Sequence, residues 1–152
     1  MMGVGGGADP VWPAARPGWF PREFEWVIGC SWIGLPTETA PIRNLIGCNM
    51  SFRREVFDLA GGFREDIGRI GTTPLGCEET ELCIRLRQRR PGTVLLYDPA
   101  VRVHHRVSPD RVRWRYFSSR CFAEGLSKAL VTDAVGFLAF LGLATLVLND
   151  AP

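Results

Sequence analysis

One stretch, residues 44–86, constrains the fold of this chain more than any other because strand, helix, loop and helix signals follow each other in it. The short apolar run at residues 45–52 predicts a buried strand. A helix is then expected from Ser51, and the pair Gly61–Gly62 is expected to end it, since glycine enters a left-handed C-terminal conformation without strain. The apolar stripe of that helix has helical spacing and consists of Phe52, Val56, Leu59 and Phe63.

A second helix is predicted from Glu78 to the Pro91–Gly92 pair, with acidic residues in its first turn and arginines in its last turns. Its two leading carboxylates, Glu78 and Glu79, have two interpretations. They can simply complement the helix dipole. Alternatively, one of them is held ionised at the helix start and removes a proton from a substrate hydroxyl. The local pattern does not choose between these roles.

Three motifs in this stretch, residues 49–54, 61–63 and 76–86, resemble the catalytic domain of family 2 glycosyltransferases. The resemblance spans residues 18–128 and implies an α/β fold. It is the acceptor-side, C-terminal half of a GT-A (nucleotide-diphospho-sugar transferase) fold, with a mixed sheet and packed helices. The segment after the last predicted strand looks like actinobacterial members of the family, on the strength of Trp114, Arg120, Gly125, Ser127 and Lys128.

The resemblance implies an inverting sugar transfer from a nucleotide-diphosphate donor to a hydroxyl acceptor, either a glycan or a lipid-linked molecule. In that family the second residue of an acidic pair is the base that deprotonates the acceptor. The matching position here is Glu79, with Glu78 beside it as the other catalytic candidate. Glu79 is longer by one methylene than the aspartate that is usual there.

Two short strands are predicted in residues 93–107, separated by a turn at Asp98–Pro99, and the second ends at His104 and His105. A histidine at a strand end is often only a hydrogen-bonding group. The resemblance implies that a histidine after this strand is a ligand of a divalent metal, Mg²⁺ or Mn²⁺, that holds the nucleotide diphosphate. His105 fits that position better than His104, and adjacent strand residues point in opposite directions.

Substrate contacts are expected from several other side chains. Residues 9–41 are rich in proline and tryptophan, so we expect an irregular segment with one short strand at residues 25–30. Trp26 and Trp32 of this segment are candidates for stacking on a sugar or covering a lipid, although core packing is the simpler role. In the polar loop 64–76, Arg69 is either a diphosphate contact or a solvated charge. Asn49 and Arg85 are candidates because they lie within the matching motifs.

Residues 1–17 are predicted to be a flexible lead-in, because their glycine cluster carries no strand or helix signal. No Asp-x-Asp occurs in the chain, although the resembled family has this metal motif in its nucleotide-binding half. We therefore expect that half, with the remaining metal ligands, to lie outside this chain, and the chain to be inactive alone. The alternative is a catalytically inactive membrane-associated remnant or partner subunit that only binds glycan or lipid.

The C-terminal part of the sequence predicts that the protein associates with a membrane. Residues 108–131 predict a helix that opens at Ser108-Pro109-Asp110 and mixes basic with aromatic residues, which suits a membrane surface or an anionic pyrophosphate. The apolar residues 132–152 predict a membrane-associated helix, and the preceding basic residues predict that residues 18–107, the acceptor-side half, face the cytoplasm. A net charge of +2 is too small to indicate nucleic-acid binding.

Overall fold

The computed structural model describes residues 1–68 and 76–128. They form a mixed sheet with helices packed on it, an α/β arrangement consistent with part of a GT-A fold. The strands are β1 (Gly3–Val11), β2 (Ala40–Pro41), β3 (Met50–Phe52) and β4 (Leu95–Arg106). The α-helices are α1 (Arg54–Ala60), α2 (Glu78–Arg89) and α3, described over residues 114–128. Two 3₁₀-helices span Arg22–Ile28 and Pro109–Val112.

The sheet has the order β2-β4-β1-β3, so β1 and β4 are its central strands. β1 pairs in parallel with β4, and the outer strands β2 and β3 pair antiparallel with β4 and β1 respectively. The β1–β4 register shifts once, where Gly6 lies opposite Asp98 and Gly7 lies opposite Arg102. Residues 99–101 therefore bulge out of β4.

The glycines of β1 are required by close packing, and this corrects the prediction of a flexible lead-in over residues 1–17. A methyl group at Gly6 would collide with the carbonyl oxygens of Val101 and Asp98, and one at Gly5 with the carbonyl oxygen of Asn49. Because only glycine allows this approach, its cluster marks a central strand here. The local sequence gives a weak strand signal, because β1 has four glycines and only two β-branched residues, Val4 and Val11.

Two segments change type relative to the predictions. The predicted strand at residues 25–30 is instead the 3₁₀-helix Arg22–Ile28, which ends at Gly29 in a left-handed conformation with φ of 88°. The two strands predicted in residues 93–107 form one strand, β4, and the Asp98–Pro99 turn is its bulge. Pairing with β1 on both sides of the bulge keeps β4 continuous, which local turn signals cannot reveal.

Two helix boundaries also differ. α1 begins at Arg54, because residues 50–52 are used by β3. The predicted helix over residues 108–131 is broken at Arg113, whose extended backbone separates the 3₁₀-helix from α3.

Two separate clusters of buried apolar residues form the core. The first joins α1 and α2 to the strands through Met2, Leu45, Val56, Ala60, Leu82, Cys83, Leu86 and Leu95. The second joins the proline-rich segment to the region after β4 through Phe20, Val27, Ile28, Cys30 and Val107. Aromatic rings extend the second cluster, with Phe117 packed edge-on to Phe20 at 5.3 Å between ring centroids. Residues of both clusters, Leu45 of the first and Cys30 of the second, line one cleft.

Three predictions fall wholly or partly outside the described residues. These are the contact of Arg69, the C-terminal apolar helix over residues 132–152, and the end of the helix predicted to residue 131. Within residues 1–68 and 76–128, none of the helices has the length and apolarity required to cross a membrane.

The packing of β1 predicts the effect of Gly6→Ala. The added methyl group has no space against the β4 backbone, so the free energy of unfolding should fall by about 2 to 3 kcal/mol in urea denaturation. Gly18→Ala is the matched control, since a methyl group there meets no atom within 4 Å, and it should change stability by less than about 1 kcal/mol. Equal stability of the two variants would contradict this account of the glycine cluster.

Candidate active-site cleft

A cleft of ≈ 730 Å³ opens between the start of α2, α3, the loop 42–48 and the segment around the first 3₁₀-helix. Its polar and charged lining includes Glu23, Arg43, Glu78, Glu79, His105, Arg111, Arg120, Glu124 and Lys128. The structure therefore brings together five residues that the sequence singled out from separate segments: Trp26, Trp32, Glu78, Glu79 and His105. This size and mixed lining suit a small-molecule site.

The start of α2 is fixed by contacts with α3. The backbone N–H of Gly76 donates to Ser127 Oγ at 3.1 Å, and the Cys77 thiol contacts Glu124 Oε1 at 3.6 Å. Burial raises the pKa of Cys77 to about 12, so this thiol is protonated and donates. Cys77 has a φ of 75° and is the one non-glycine residue in the described ranges with a positive φ. Such a conformation is strained, and strain of this kind is often found at functional sites.

Glu79 is half-buried at the cleft wall. Its carboxylate carbon lies 3.9 Å from the position that a Cβ atom on Gly47 would occupy. Burial raises its pKa above the ordinary glutamate value, and the neighbouring carboxylates of Glu78 and Glu124 raise it further. Its own backbone N–H and the Arg120 guanidinium oppose this shift. The result is a carboxylate that binds a proton more tightly than an exposed glutamate, as a general base requires.

Glu78 lies beside Glu79 on the first turn of α2. Its Oε2 atom is buried and has no hydrogen-bond partner in residues 1–68 and 76–128. An uncompensated buried carboxylate oxygen is costly, and a substrate hydroxyl is one group that could satisfy it.

α3 forms a charged wall of the cleft. Glu124 pairs with Arg120 at 2.9 Å and with Lys128 at 3.4 Å, so one carboxylate is shared by two cations of the same helix. The ammonium group of Lys128 also lies 5.6 Å from the ring centroid of Trp26, a cation–π distance. This last contact joins α3 to the first 3₁₀-helix.

His105 contacts an arginine in the cleft. Arg111 Nη1 lies 3.3 Å from His105 Nε2 and donates to the carbonyl oxygen of Ile28 at 3.2 Å. A guanidinium group has no acceptor, so Nε2 of His105 must accept this hydrogen bond, and the proton of the neutral ring is on Nδ1. Both side chains rest against Gly29, where a Cβ atom would lie 3.4 Å from His105 Nε2.

His104 points away from the cleft, because side chains alternate along β4. It is exposed and lies opposite Asp9 on β1. The predicted divalent metal can be tested against this geometry. No group of three histidine, cysteine, aspartate or glutamate side chains within residues 1–68 and 76–128 could hold a metal ion, and Nε2 of His105 is already an acceptor. The described residues therefore do not fit a divalent cation by themselves.

The two predicted tryptophans differ in exposure. Trp26 is half-buried and Trp32 is exposed, and both line the cleft. A hydrogen bond from the Cys48 thiol to the carbonyl oxygen of Gly29, at 3.3 Å, connects the loop 42–48 to the end of the first 3₁₀-helix. The cleft thus has aromatic faces on one side and a carboxylate pair on the other.

Asn49 and Arg85 were expected to bind substrate, but the structure places neither in the cleft. Asn49 Nδ2 donates to the carbonyl oxygens of Gly7 and Val101, at 2.8 and 3.0 Å, and so closes the bulge of β4. Arg85 pairs with Glu81 at 2.7 Å and donates to the carbonyl oxygens of Ala60 and Gly62. Its guanidinium satisfies the C-terminal end of α1, which is a structural role.

Arg111 and Glu124 line the cleft although no sequence motif predicts either as a site residue. The only available signal was the basic and aromatic pattern of residues 108–131, which suggested an anionic pyrophosphate as one possible ligand. The break at Arg113 turns Arg111 toward β4 while α3 follows α2, and no helical periodicity predicts that separation.

The chain is 34% identical over 130 residues to a glucosyl-dolichyl phosphate glucuronosyltransferase of Haloferax volcanii. The match covers 86% of this chain and 41% of that protein, so the chain spans less than half the length of its relative. No protein-family model matches the chain, and no solved structure matches it. The similarity supports the resemblance to glycosyltransferases, whereas the actinobacterial type and the position within the catalytic domain stay predictions.

The raised pKa of Glu79 predicts a pH-dependent effect of Glu79→Gln. The folded protein holds this proton more tightly than the unfolded chain, so the stabilisation present below the ordinary glutamate pKa is lost as pH rises through the raised value. The amide does not ionise, so in urea denaturation Glu79→Gln should gain stability relative to the unmodified protein as the pH rises above the ordinary glutamate pKa. The control Glu38→Gln removes an exposed carboxylate and should show no comparable gain.

Proposed function

We propose that this chain is part of a glycosyltransferase that transfers a sugar from a nucleotide-diphosphate donor to a hydroxyl of a lipid-linked acceptor. The observation that carries the proposal is the half-buried Glu79 at the wall of a cleft that tryptophans also line. The 34% identity to a glucosyl-dolichyl phosphate glucuronosyltransferase supports the same class of reaction. Its name indicates an acceptor in which a sugar is joined to a lipid phosphate.

In the proposed reaction Glu79 takes the proton of the acceptor hydroxyl. The resulting oxygen nucleophile attacks the anomeric carbon of the donor sugar, and the bond from that carbon to the nucleotide diphosphate breaks. The bonding electrons leave with the diphosphate. Because the oxygen attacks from the face opposite the leaving group, the configuration at the anomeric carbon inverts. The raised pKa of Glu79 supports this role, because a carboxylate with a higher proton affinity is a stronger base.

The remaining cleft residues have supporting roles in this proposal. Trp26 and Trp32 offer apolar ring faces to the acceptor sugar. Glu78 orients the hydroxyl through its buried, unsatisfied Oε2 atom. No step is assigned to the predicted Mg²⁺ or Mn²⁺ ion, since the described residues do not fit one, and the metal stays a prediction.

We also propose that the protein works at the cytoplasmic face of the membrane, where a lipid-linked acceptor is found. The outward face of α3 supports this, because three of its large apolar side chains are exposed. Trp114 is 64% exposed, Phe122 76% and Leu126 46%. Aromatic residues on a helix that also carries arginines are typical of interfacial membrane binding.

The catalytic proposal predicts the effect of Glu79→Gln on turnover. In the protein produced from its natural gene, this variant should lower the rate of sugar transfer by a factor of roughly 10² to 10⁴, because an amide cannot accept the proton. Donor binding, measured by calorimetry, should be unchanged. Asp58→Asn is the matched control, since it removes an exposed carboxylate of α1 outside the cleft and should retain full turnover.

Unchanged turnover of the Glu79 variant would overturn the base assignment. Absence of transfer by the unmodified protein with any nucleotide sugar would instead favour the inactive glycan- or lipid-binding alternative.

The membrane proposal predicts the effect of Phe122→Ser. Sedimentation with vesicles of phosphatidylcholine and phosphatidylglycerol should show about tenfold weaker binding, because a large exposed apolar side chain no longer enters the lipid. Phe63→Ser removes an exposed phenylalanine after α1 and should leave vesicle binding unaltered. Equal binding by both variants would argue against α3 as the contact.

A further inference from the structure

We propose that Arg111, held against His105 and Gly29, is an anion-binding residue that takes a phosphate group of the substrate. This inference deepens the proposed function and rests on it for the identity of the ligand. It also gives His105 a different role from the predicted one, because the imidazole then supports an arginine and does not coordinate a cation.

Arg111 is fixed in place before any ligand binds. Nη1 donates to the carbonyl oxygen of Ile28 at 3.2 Å and contacts Nε2 of His105 at 3.3 Å. The guanidinium carbon lies 6.0 Å from the ring centroid of Tyr116. A carbonyl, an imidazole and an aromatic ring thus orient the group, which reduces the entropy lost when it binds an anion.

The remaining donors of Arg111 are available to a ligand. A guanidinium group has five N–H donors, and the Nε and Nη2 atoms of Arg111 donate to no residue within 1–68 and 76–128. No carboxylate of the same ranges forms an ion pair with this arginine. Arg111 is nevertheless half-buried at the cleft. A partly desolvated guanidinium with only neutral contacts is suited to a phosphate, which it binds through two parallel hydrogen bonds.

The other half-buried cation of the cleft, Arg120, differs from Arg111 because it has an ion-pair partner. Arg120 is paired with Glu124, so much of its charge is already compensated within the wall formed by α3. Of these two half-buried cations, Arg111 is therefore the one without an ion pair to a carboxylate among residues 1–68 and 76–128. Electrostatic complementarity of this kind selects an anionic ligand over a neutral sugar.

The anion site and the base are connected through the loop 42–48. Arg111 and His105 rest against Gly29, whose carbonyl oxygen accepts the hydrogen bond of Cys48, and the preceding Gly47 lies against Glu79. A ligand that fills the cleft can therefore contact both Arg111 and Glu79. An acceptor with a sugar hydroxyl at Glu79 and its lipid phosphate at Arg111 fits this order, and so does the diphosphate of a nucleotide-sugar donor.

The test measures phosphate binding directly, without turnover. The chain contains two histidines, so their imidazole NMR signals can be assigned with one variant, His104→Gln. Geranyl phosphate and uridine diphosphate are titrated separately into the full chain, with methyl glucoside as the uncharged control. We expect the His105 signals to shift with a phosphate probe and to be unaffected by methyl glucoside.

Arg111→Gln should weaken binding of the phosphate probe by about 10- to 100-fold, which corresponds to the loss of a charge-assisted hydrogen bond. Arg115→Gln removes an exposed arginine of α3 and should change the affinity by less than about twofold. Loss of geranyl phosphate binding identifies the acceptor phosphate as the ligand. Loss of only uridine diphosphate binding identifies the donor diphosphate. Equal phosphate affinity of Arg111→Gln and the unmodified chain would overturn the proposal.

Two further measurements keep the test decisive. Arg111→Lys retains the charge without the planar fork and should bind with intermediate affinity, with unfolding midpoints recorded for every variant. In the unmodified chain, Mn²⁺ added without nucleotide should leave the His105 signals sharp. Broadening of those signals by micromolar Mn²⁺ would restore His105 as a metal ligand and overturn the proposal. Neither result depends on transfer activity, so phosphate binding without turnover would count only against the proposed function.

Discussion

The close approach of the β1 and β4 backbones is the constraint on which the rest of the structure depends. Gly6 allows the carbonyl oxygens of Asp98 and Val101 to lie against it, and Asn49 closes the bulge that results. At the start of β4, the carbonyl oxygen of Leu95 accepts a hydrogen bond from the backbone N–H of Ile42 in the loop 42–48, and the other end of β4 carries His105. The two sides of the cleft are therefore positioned by the same pair of strands.

The cleft itself is built at a cost to stability. Cys77 has a strained left-handed backbone, Glu79 is partly buried with its charge, and Glu78 has a buried oxygen without a partner in the described ranges. Each of these features destabilises the folded state by an amount that surrounding contacts must offset. The hydrogen bond from Gly76 to Ser127 and the ion pairs of Glu124 supply such contacts. Strain and its compensation concentrated at one place are typical of a site that acts on a ligand.

The sequence predicted the local features well where a single periodicity or a strong stop signal controls them. α2 begins at Glu78 as expected, and Gly61 follows the end of α1. Prediction from the sequence failed where tertiary pairing overrides local signals. β1 forms from a glycine-rich segment, and β4 continues through Asp98 and Pro99. The same limit applies to the site. Asn49 and Arg85 carry motif positions, yet their side chains satisfy backbone carbonyls, which no spacing along the chain can reveal.

The distribution of charge across the cleft links these observations to chemistry. At the α2 and α3 end, burial raises the pKa of Glu79, and the neighbouring carboxylates of Glu78 and Glu124 raise it further. At the β4 end, Arg111 has only neutral contacts among the described residues. A ligand with a hydroxyl at one end and an anionic group at the other complements both ends at once. In the proposed anion site, a neutral glycan would leave the guanidinium uncompensated, which is why we propose a ligand that carries phosphate.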